Sequence, residues 1–177
     1  MKFFVKNILS LAFRLLALVL IFQLCRLFFF AFNIEFFDET TLLDYLQITT
    51  GGIRFDLSAI FYINLLFILL SIIPSNLLFK NWYQNIQKYV YVIINTIGIA
   101  ICLSDSIYYS FTRTRFSTNT YKEFSNEKNP NNLIFEFFVD FWYVLILVIA
   151  IYKFLYYIFN KTQVKSSTKI NLKSFSY

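Results

Sequence analysis

Residues Ile8–Phe32 form a run of 25 that only Ser10, Arg14, Gln23 and Arg26 interrupt with polar side chains. As a helix rising ~1.5 Å per residue, it reaches ~38 Å, longer than the ~30 Å hydrocarbon core of a bilayer. Few soluble folds can hide such a segment. Lys2 and Lys6 precede it and resemble the n-region of a signal peptide. The run is too long for the apolar core of such a peptide, and no small-x-small cleavage site follows. The expectation is an uncleaved anchor.

Three more runs follow. Leu57–Ile73 is closed by Pro74, a third run begins near Tyr89 and fades at Asp105, and Phe141–Phe159 is interrupted only by Lys153. The long stem of Lys153 can carry its charge to an interface. Composition agrees with this pattern. Hydrophobic residues make up 58% and charged residues 15% of the chain, against ~45–50% and ~25% in soluble domains. Too few polar residues remain to clothe a water-soluble surface. The expected fold is therefore all-α and integral to the membrane, a bundle of four transmembrane helices at about 8–32, 55–73, 89–107 and 141–159. They make a domain of residues 1–160, followed by a basic tail, 161–177. No internal repeat is evident. The 22% aromatic content fits either an AT-rich codon usage or aromatic belts at the two interfaces.

Lys and Arg set the expected orientation. Lys2 and Lys6, then Lys80 and Lys88, then Lys161, Lys165, Lys169 and Lys173 flank the apolar runs on one side without acidic neighbours. The first loop instead holds Glu35, Asp38, Glu39 and Asp44, and the third mixes Arg113, Arg115, Lys122 and Lys128 with Glu123 and Glu127. Both termini are expected in the cytoplasm. Leu133–Phe138 reads equally as an interfacial helix or as an early start of the fourth span. The net charge of +6 sits in short segments beside apolar runs, a pattern of membrane topology and not of a nucleic-acid surface. The implied partners are the bilayer and an anionic phospholipid.

The inventory excludes much chemistry. There is no His, so His-based acid–base catalysis and His-ligated metal are absent. Cys25 and Cys102 each stand alone in apolar runs and read as small packing residues. Three Gly cannot form a Gly-rich phosphate loop. What remains is a set of charges near membrane depth, which are costly and usually face protein or water. Arg14 lies near the inner end of the first helix and can snorkel. Gln23 and Arg26, three apart, share a face. Arg26, Arg54, Asp56, Asp105 and Asp140 all fall near one level under the outer surface. Arg54 and Asp56 are two apart, so each needs a partner on another helix. Asn95, Gly98, Cys102 and Asp105 form one stripe on the third span. The charges read either as an ion-pair network that locks the bundle or as a polar cavity for an anionic lipid headgroup, with Arg26 or Arg54 on its phosphate.

Gly51-Gly-Ile-Arg-Phe-Asp-Leu-Ser-Ala59, continuing through Tyr62 and Leu65 to Pro74, resembles the second helix of the lipoteichoic-acid-synthase-like sulfatases of the alkaline phosphatase superfamily. Asp105, Tyr108, Tyr109, Phe111, Thr112 and Arg115 are similar to that family's segment after its third helix, and Phe141-Trp-Tyr143 fits the start of its fourth. The resemblance covers most of the chain in order and spacing. It implies the N-terminal membrane part of a phosphoglycerol transferase or sulfatase-like enzyme. A fifth helix and an extracytoplasmic domain with a divalent metal and a Thr nucleophile would lie beyond these residues. No catalytic residue and no cofactor of the family maps onto this chain; only Arg54, Asp56, Asp105 and Arg115 fall on motif positions. Two other readings stand beside it: a small transporter or channel, and a membrane scaffold. A transporter usually shows inverted repeats or helices broken by Gly or Pro, and Gly98 is the only Gly expected inside a helix.

Overall fold

The computed structural model describes residues 2–37, 41–73, 76–113 and 141–163. Among them it contains five α-helices and no strand: α1 (Lys2–Phe32), α2 (Leu42–Ile63), α3 (Leu65–Ile72), α4 (Asn81–Thr112) and α5 (Trp142–Lys161). Short 3-10 turns at Ile34–Phe36 and Asn76–Phe79 join them. Helices α1, α4 and α5 are each long and apolar enough to cross a membrane, and the bent pair α2–α3 makes a fourth if it counts as one span. The segment Leu133–Phe138, Arg115, Asp140 and the tail from residue 164 lie outside the described residues.

On α1, Leu11, Arg14, Leu18, Ile21 and Cys25 recur at spacings of three and four and are all buried. This is the heptad seam of near-parallel helix packing. The opposite face is not polar: Leu16, Leu20 and Leu24 are each more than 60% exposed. Helix α4 lies across the seam from α1 and also packs on α3 and α5. Tyr91, Val92, Ile99, Leu103 and Ile107 supply its side of the core, with Phe67 of α3 and Leu155 and Phe159 of α5.

Cross-helix hydrogen bonds give the directions. Asn7 at the start of α1 donates to the Ser71 carbonyl at the end of α3 (2.6 Å), and Ser10 to the Thr162 carbonyl just after α5 (2.5 Å). The Tyr91 hydroxyl, in the first half of α4, donates to the Arg14 carbonyl at 3.2 Å. The starts of α1 and α4 therefore share one end of the bundle with the finishes of α3 and α5, an up-down-up-down order.

The second span differs from its expectation. It begins at Leu42, not near 55, because Thr41 and Asp44 form a capping box: the Thr41 hydroxyl accepts from the Asp44 amide and the Asp44 carboxylate from the Thr41 amide. Gly51 and Gly52 lie inside α2, so Gly98 is not the only helical glycine. The span is also broken, by a 63° bend between α2 and α3. Asn64 occupies the break and is 1% exposed. Its Nδ2 donates to the Ile60 carbonyl (3.0 Å) and to Asn95 Oδ1 (2.9 Å), while Asn95 Nδ2 donates back to Asn64 Oδ1 (2.7 Å) and to the Tyr91 carbonyl (2.7 Å). An amide that bonds its own helix one turn back competes with the backbone ladder and bends it. The stripe read on the third span thus begins with a real contact, Asn95 against α2–α3. Gly98 adds a second, since a Cβ there would sit 3.9 Å from Ile63 Cδ1.

We expect Asn95→Leu to lower the thermal midpoint in detergent, because it strands the buried Asn64 amide at a cost of about 1–3 kcal/mol. Asn64→Leu combined with Asn95→Leu should recover part of that loss. A double variant no better than the sum of the two single losses would show that the amides are not paired.

Candidate functional site: a charged clamp between the first two helices

Helix α1 presents Gln23 and Arg26 to α2, and α2 answers with Tyr45, Thr49, Gly52 and Asp56, spaced four, three and four. Arg26 Nη2 lies 2.7 Å from Asp56 Oδ1 and 2.8 Å from Oδ2, and Gln23 Nε2 donates to Oδ2 at 2.7 Å. Arg26 Nη1 reaches the Ile48 carbonyl at 3.4 Å. The guanidinium therefore lies along α2, and Gly52 makes room for it. A Cβ at Gly52 would fall 1.5 Å from Arg26 Nη1 and 2.2 Å from Cζ. Gly52 and Asp56 are one turn apart on one face, a seat and an anion for one cation. At Gly51, one residue earlier, a Cβ would meet nothing within 4 Å.

The seam around the clamp is incompletely satisfied. Gln23 Oε1, Thr49 Oγ1 and Tyr45 OH are buried without a hydrogen-bond partner among the described residues. The Tyr45 ring packs on Phe30 with centroids 4.6 Å apart. Such atoms mark places where water can complete the network.

Farther toward the end of α1, Asn33 is 1% exposed and donates through Nδ2 to the Ser106 carbonyl of α4 and to its own Phe29 carbonyl, both at 2.9 Å. Phe29, Phe36, Phe37 and Tyr109 pack around this junction. Arg113, which ends α4 in the left-handed region at φ 57°, stacks its guanidinium 3.9 Å over the Phe36 ring.

Four of the five residues of the expected charge layer, Arg26, Arg54, Asp56 and Asp105, are among the described residues. Arg26 and Asp56 pair, and Gln23 joins them. Arg54 is exposed and turns to the outer side of α2, where it lines a shallow groove with Thr50, Gly51, Phe55 and Ser58. Asp105 is partly buried on α4, beside Ser106. Arg115 and Asp140 fall outside the described residues.

The residue that sequence reasoning misread is Arg14. It does not snorkel: it is 4% exposed. Its Nε donates to Thr162 Oγ1 at 2.8 Å, its Nη2 to the Phe159 carbonyl at 3.3 Å, and its Cζ lies 3.8 Å from the centre of the Phe159 ring. A cation against the last carbonyls of a helix meets the negative end of its dipole. The available signal was the heptad spacing that puts Arg14 in line with Leu11, Leu18 and Cys25.

With this geometry in view, comparison with known proteins adds nothing: no family model, no curated protein and no solved structure matches the chain.

The neighbouring glycines should respond with opposite signs. Gly52→Ala displaces the guanidinium and should destabilise by about 1–3 kcal/mol, as overpacking does. Gly51→Ala enters open space and should stabilise by up to about 1 kcal/mol through helix propensity. Arg26→Ala, which leaves part-buried Asp56 with Gln23 but without its cation, should cost about 1–3 kcal/mol, and Arg54→Ala about 0.5 kcal/mol or less. Thermal unfolding in one detergent ranks all four; equal losses for Arg26→Ala and Arg54→Ala would dismiss the clamp.

Proposed function

We propose that this chain is a multi-pass domain of a bacterial cytoplasmic membrane, with the start of α1 and the finish of α5 toward the cytoplasm. We further propose that it anchors, and presents lipid to, a phosphoglycerol-transferase or sulfatase-like enzyme. The observation that carries the membrane reading is the pairing of an apolar exterior with a polar interior. Leu16, Leu20 and Leu24 point out of α1, while Arg14, Gln23 and Arg26 bond to other helices. Water would favour the reverse; hydrocarbon favours this arrangement.

Charge segregation supports the orientation. Lys6, Lys80 and Lys161 lie at the end where α1 starts, whereas Glu35, Asp44 and Asp56 lie toward the other. Excess Lys at one end is the mark of the cytoplasmic side. The enzyme-family reading rests on the Gly51–Ala59 resemblance. Within that segment Gly52 and Asp56 have a shared structural task in the clamp, which accounts for a Gly and an Asp four apart.

Among the described residues the bend at Asn64 favours the transporter alternative, because broken helices often build ion sites. The Asn64 and Asn95 side-chain amides bond each other and nearby carbonyls, which uses all four of their N–H donors, so packing between the helices accounts for the bend without an ion.

Two measurements test the proposal. In a background lacking Cys25 and Cys102, Asn119→Cys should react with an impermeant thiol reagent in intact cells, and Ser167→Cys should not. Labelling of Ser167→Cys overturns the orientation. The purified chain should neither transfer phosphoglycerol nor hydrolyse phosphate or sulfate esters when divalent metal is added. Such chemistry needs an activated nucleophile and a held metal or cationic clamp, and a chain without His lacks the usual means for both. Metal-dependent turnover by the purified chain would refute the anchoring role.

A further inference from the structure

We propose that the outward face of α2 is a docking surface for one membrane-spanning helix of another protein, a helix whose carboxylate pairs with Arg54. This goes beyond the anchoring role and rests on the membrane reading.

Helix α2 carries two seams. The inward one, Tyr45, Thr49, Gly52 and Asp56, faces α1. The outward one runs through Gln47, Gly51, Arg54 and Ser58 and repeats the same spacing of four, three and four. At ~100° per residue the two lie on opposite sides of the helix. All four outward residues are exposed. Such spacing is how one helix presents a seam to another. A face turned only to lipid needs no such stripe, since hydrocarbon is met best by large apolar side chains, as α1 meets it with Leu16, Leu20 and Leu24. On α2 the large apolar side chains flank the stripe, Leu43 on one side and Phe55 and Tyr62 on the other, all exposed. Between them runs a groove lined by Thr50, Gly51, Arg54, Phe55 and Ser58. Small residues at such a place let the backbone of a second helix approach.

The occupied seam shows what the free one takes. Inside, a glycine clears room for a guanidinium and a carboxylate neutralises it: Arg26 lies over Gly52 and 2.7 Å from Asp56. Outside, a Cβ at Gly51 would meet nothing within 4 Å, and Arg54 forms no ion pair among the described residues. Asp56 cannot turn to it, because side chains two apart on a helix point to different sides. The groove hydroxyls are committed: Thr50 Oγ1 donates to the Leu46 and Gln47 carbonyls, and Ser58 Oγ to the Arg54 carbonyl. The missing group is a carboxylate, and a facing helix supplies one in fixed geometry, accepting two parallel bonds from the guanidinium. A second copy of this chain does not supply it. Two copies inserted in one orientation would set Arg54 against Arg54 across a two-fold axis. The acid on this side of α2, Asp44, is held in the capping box with Thr41.

The test pairs the full chain with designed membrane-spanning peptides of Leu and Ala, flanked by Lys, in phosphatidylcholine vesicles. One peptide has no acid; in the others a single Asp is walked along the apolar stretch. Energy transfer between fluorophores on the two amino termini reports binding. The best-placed Asp peptide should bind about ten-fold tighter than the peptide without acid, the equivalent of ~1.4 kcal/mol. Arg54→Gln should lose most of that preference, and Arg54→Glu should transfer it to a peptide with Lys at the same place. Gly51→Leu enters open space and so leaves the fold intact. By filling the groove it should weaken binding of the Asp peptide about five-fold. An Asp preference that survives Arg54→Gln, or binding to Gly51→Leu as tight as to the parent, overturns the docking surface. Loss of the preference when phosphatidylglycerol replaces phosphatidylcholine overturns it in favour of lipid. Energy transfer between two copies of the chain that excess Asp peptide does not displace overturns it in favour of a second copy. If the Arg54 variants fail to fold, Gly51→Leu and the Asp series on the parent still decide. Phosphatidylcholine brominated in its acyl chains should quench Trp82 and Trp142, both more than half exposed; absence of quenching would instead overturn the membrane reading itself.

Discussion

The polar side chains that α1 and Asn33 just after it turn inward reach all four other helices between them, and that requirement organises the rest of the structure. Asn7 bonds the end of α3, Ser10 and Arg14 the end of α5, Gln23 and Arg26 the middle of α2, and Asn33 the far half of α4. Each group would be stranded on the apolar outer face. Each therefore acts as a directional restraint, where packing of Leu against Leu would allow sliding. Hydrophobic contact makes the helices associate; these bonds set which helix stands where and at what height.

The two ends of the bundle solve different problems. Where α1 and α4 begin, α3 and α5 finish, and their last carbonyls need donors. Tyr83 and Gln87 of α4 both donate to the Leu70 carbonyl at 2.8 Å, Asn7 takes that of Ser71, and Arg14 takes that of Phe159. Gln84 and Gln163 join α4 to the segment after α5 in the same layer. One cation suffices here without an acid, because helix dipoles and the Phe159 ring supply the negative potential. At the opposite end the cation sits beside the middle of a helix, where no such dipole end exists. There the structure uses a carboxylate, Asp56, and removes a side chain, at Gly52, to let the charges meet.

Much of this was legible in the residues. Four apolar runs appear as α1, the pair α2–α3, α4 and α5, and the 3-10 turns and caps trim or extend their ends. The two-residue spacing of Arg54 and Asp56 called for a partner on another helix, and for Asp56 that partner is Arg26. Less legible was everything that depended on a tertiary choice. Apolar periodicity cannot report the bend, because Asn64 lies inside a run of Leu, Ile and Phe and its effect needs Asn95 opposite. The role of Gly52 is invisible without the guanidinium laid over it, and the paired glycines looked more like a loop than a helix interior. Arg14 was assigned to the interface by the general cost of buried charge. That rule fails where a neighbouring helix offers its C-terminal carbonyls.

The contrast between Arg26 and Arg54 carries the last step. They belong to the same narrow layer, yet one is neutralised inside the bundle and the other faces out. Had the layer existed only to lock the helices, Arg26, Gln23, Gly52 and Asp56 would complete it, and an outward-facing Leu at position 54 would suit hydrocarbon better than Arg. Among the described residues Arg54, exposed beside Thr50, Phe55 and Ser58, takes no part in the packing between α1 and α2. Its charge is directed at what surrounds the protein. The clamp then has a second consequence: by holding α2 at a set height and rotation against α1, it fixes the direction in which Arg54 faces. A shift of one residue along the helix would move that guanidinium by only ~1.5 Å in depth but would turn it ~100° around the axis. Rotation, more than depth, is what the Arg26–Asp56 pair protects.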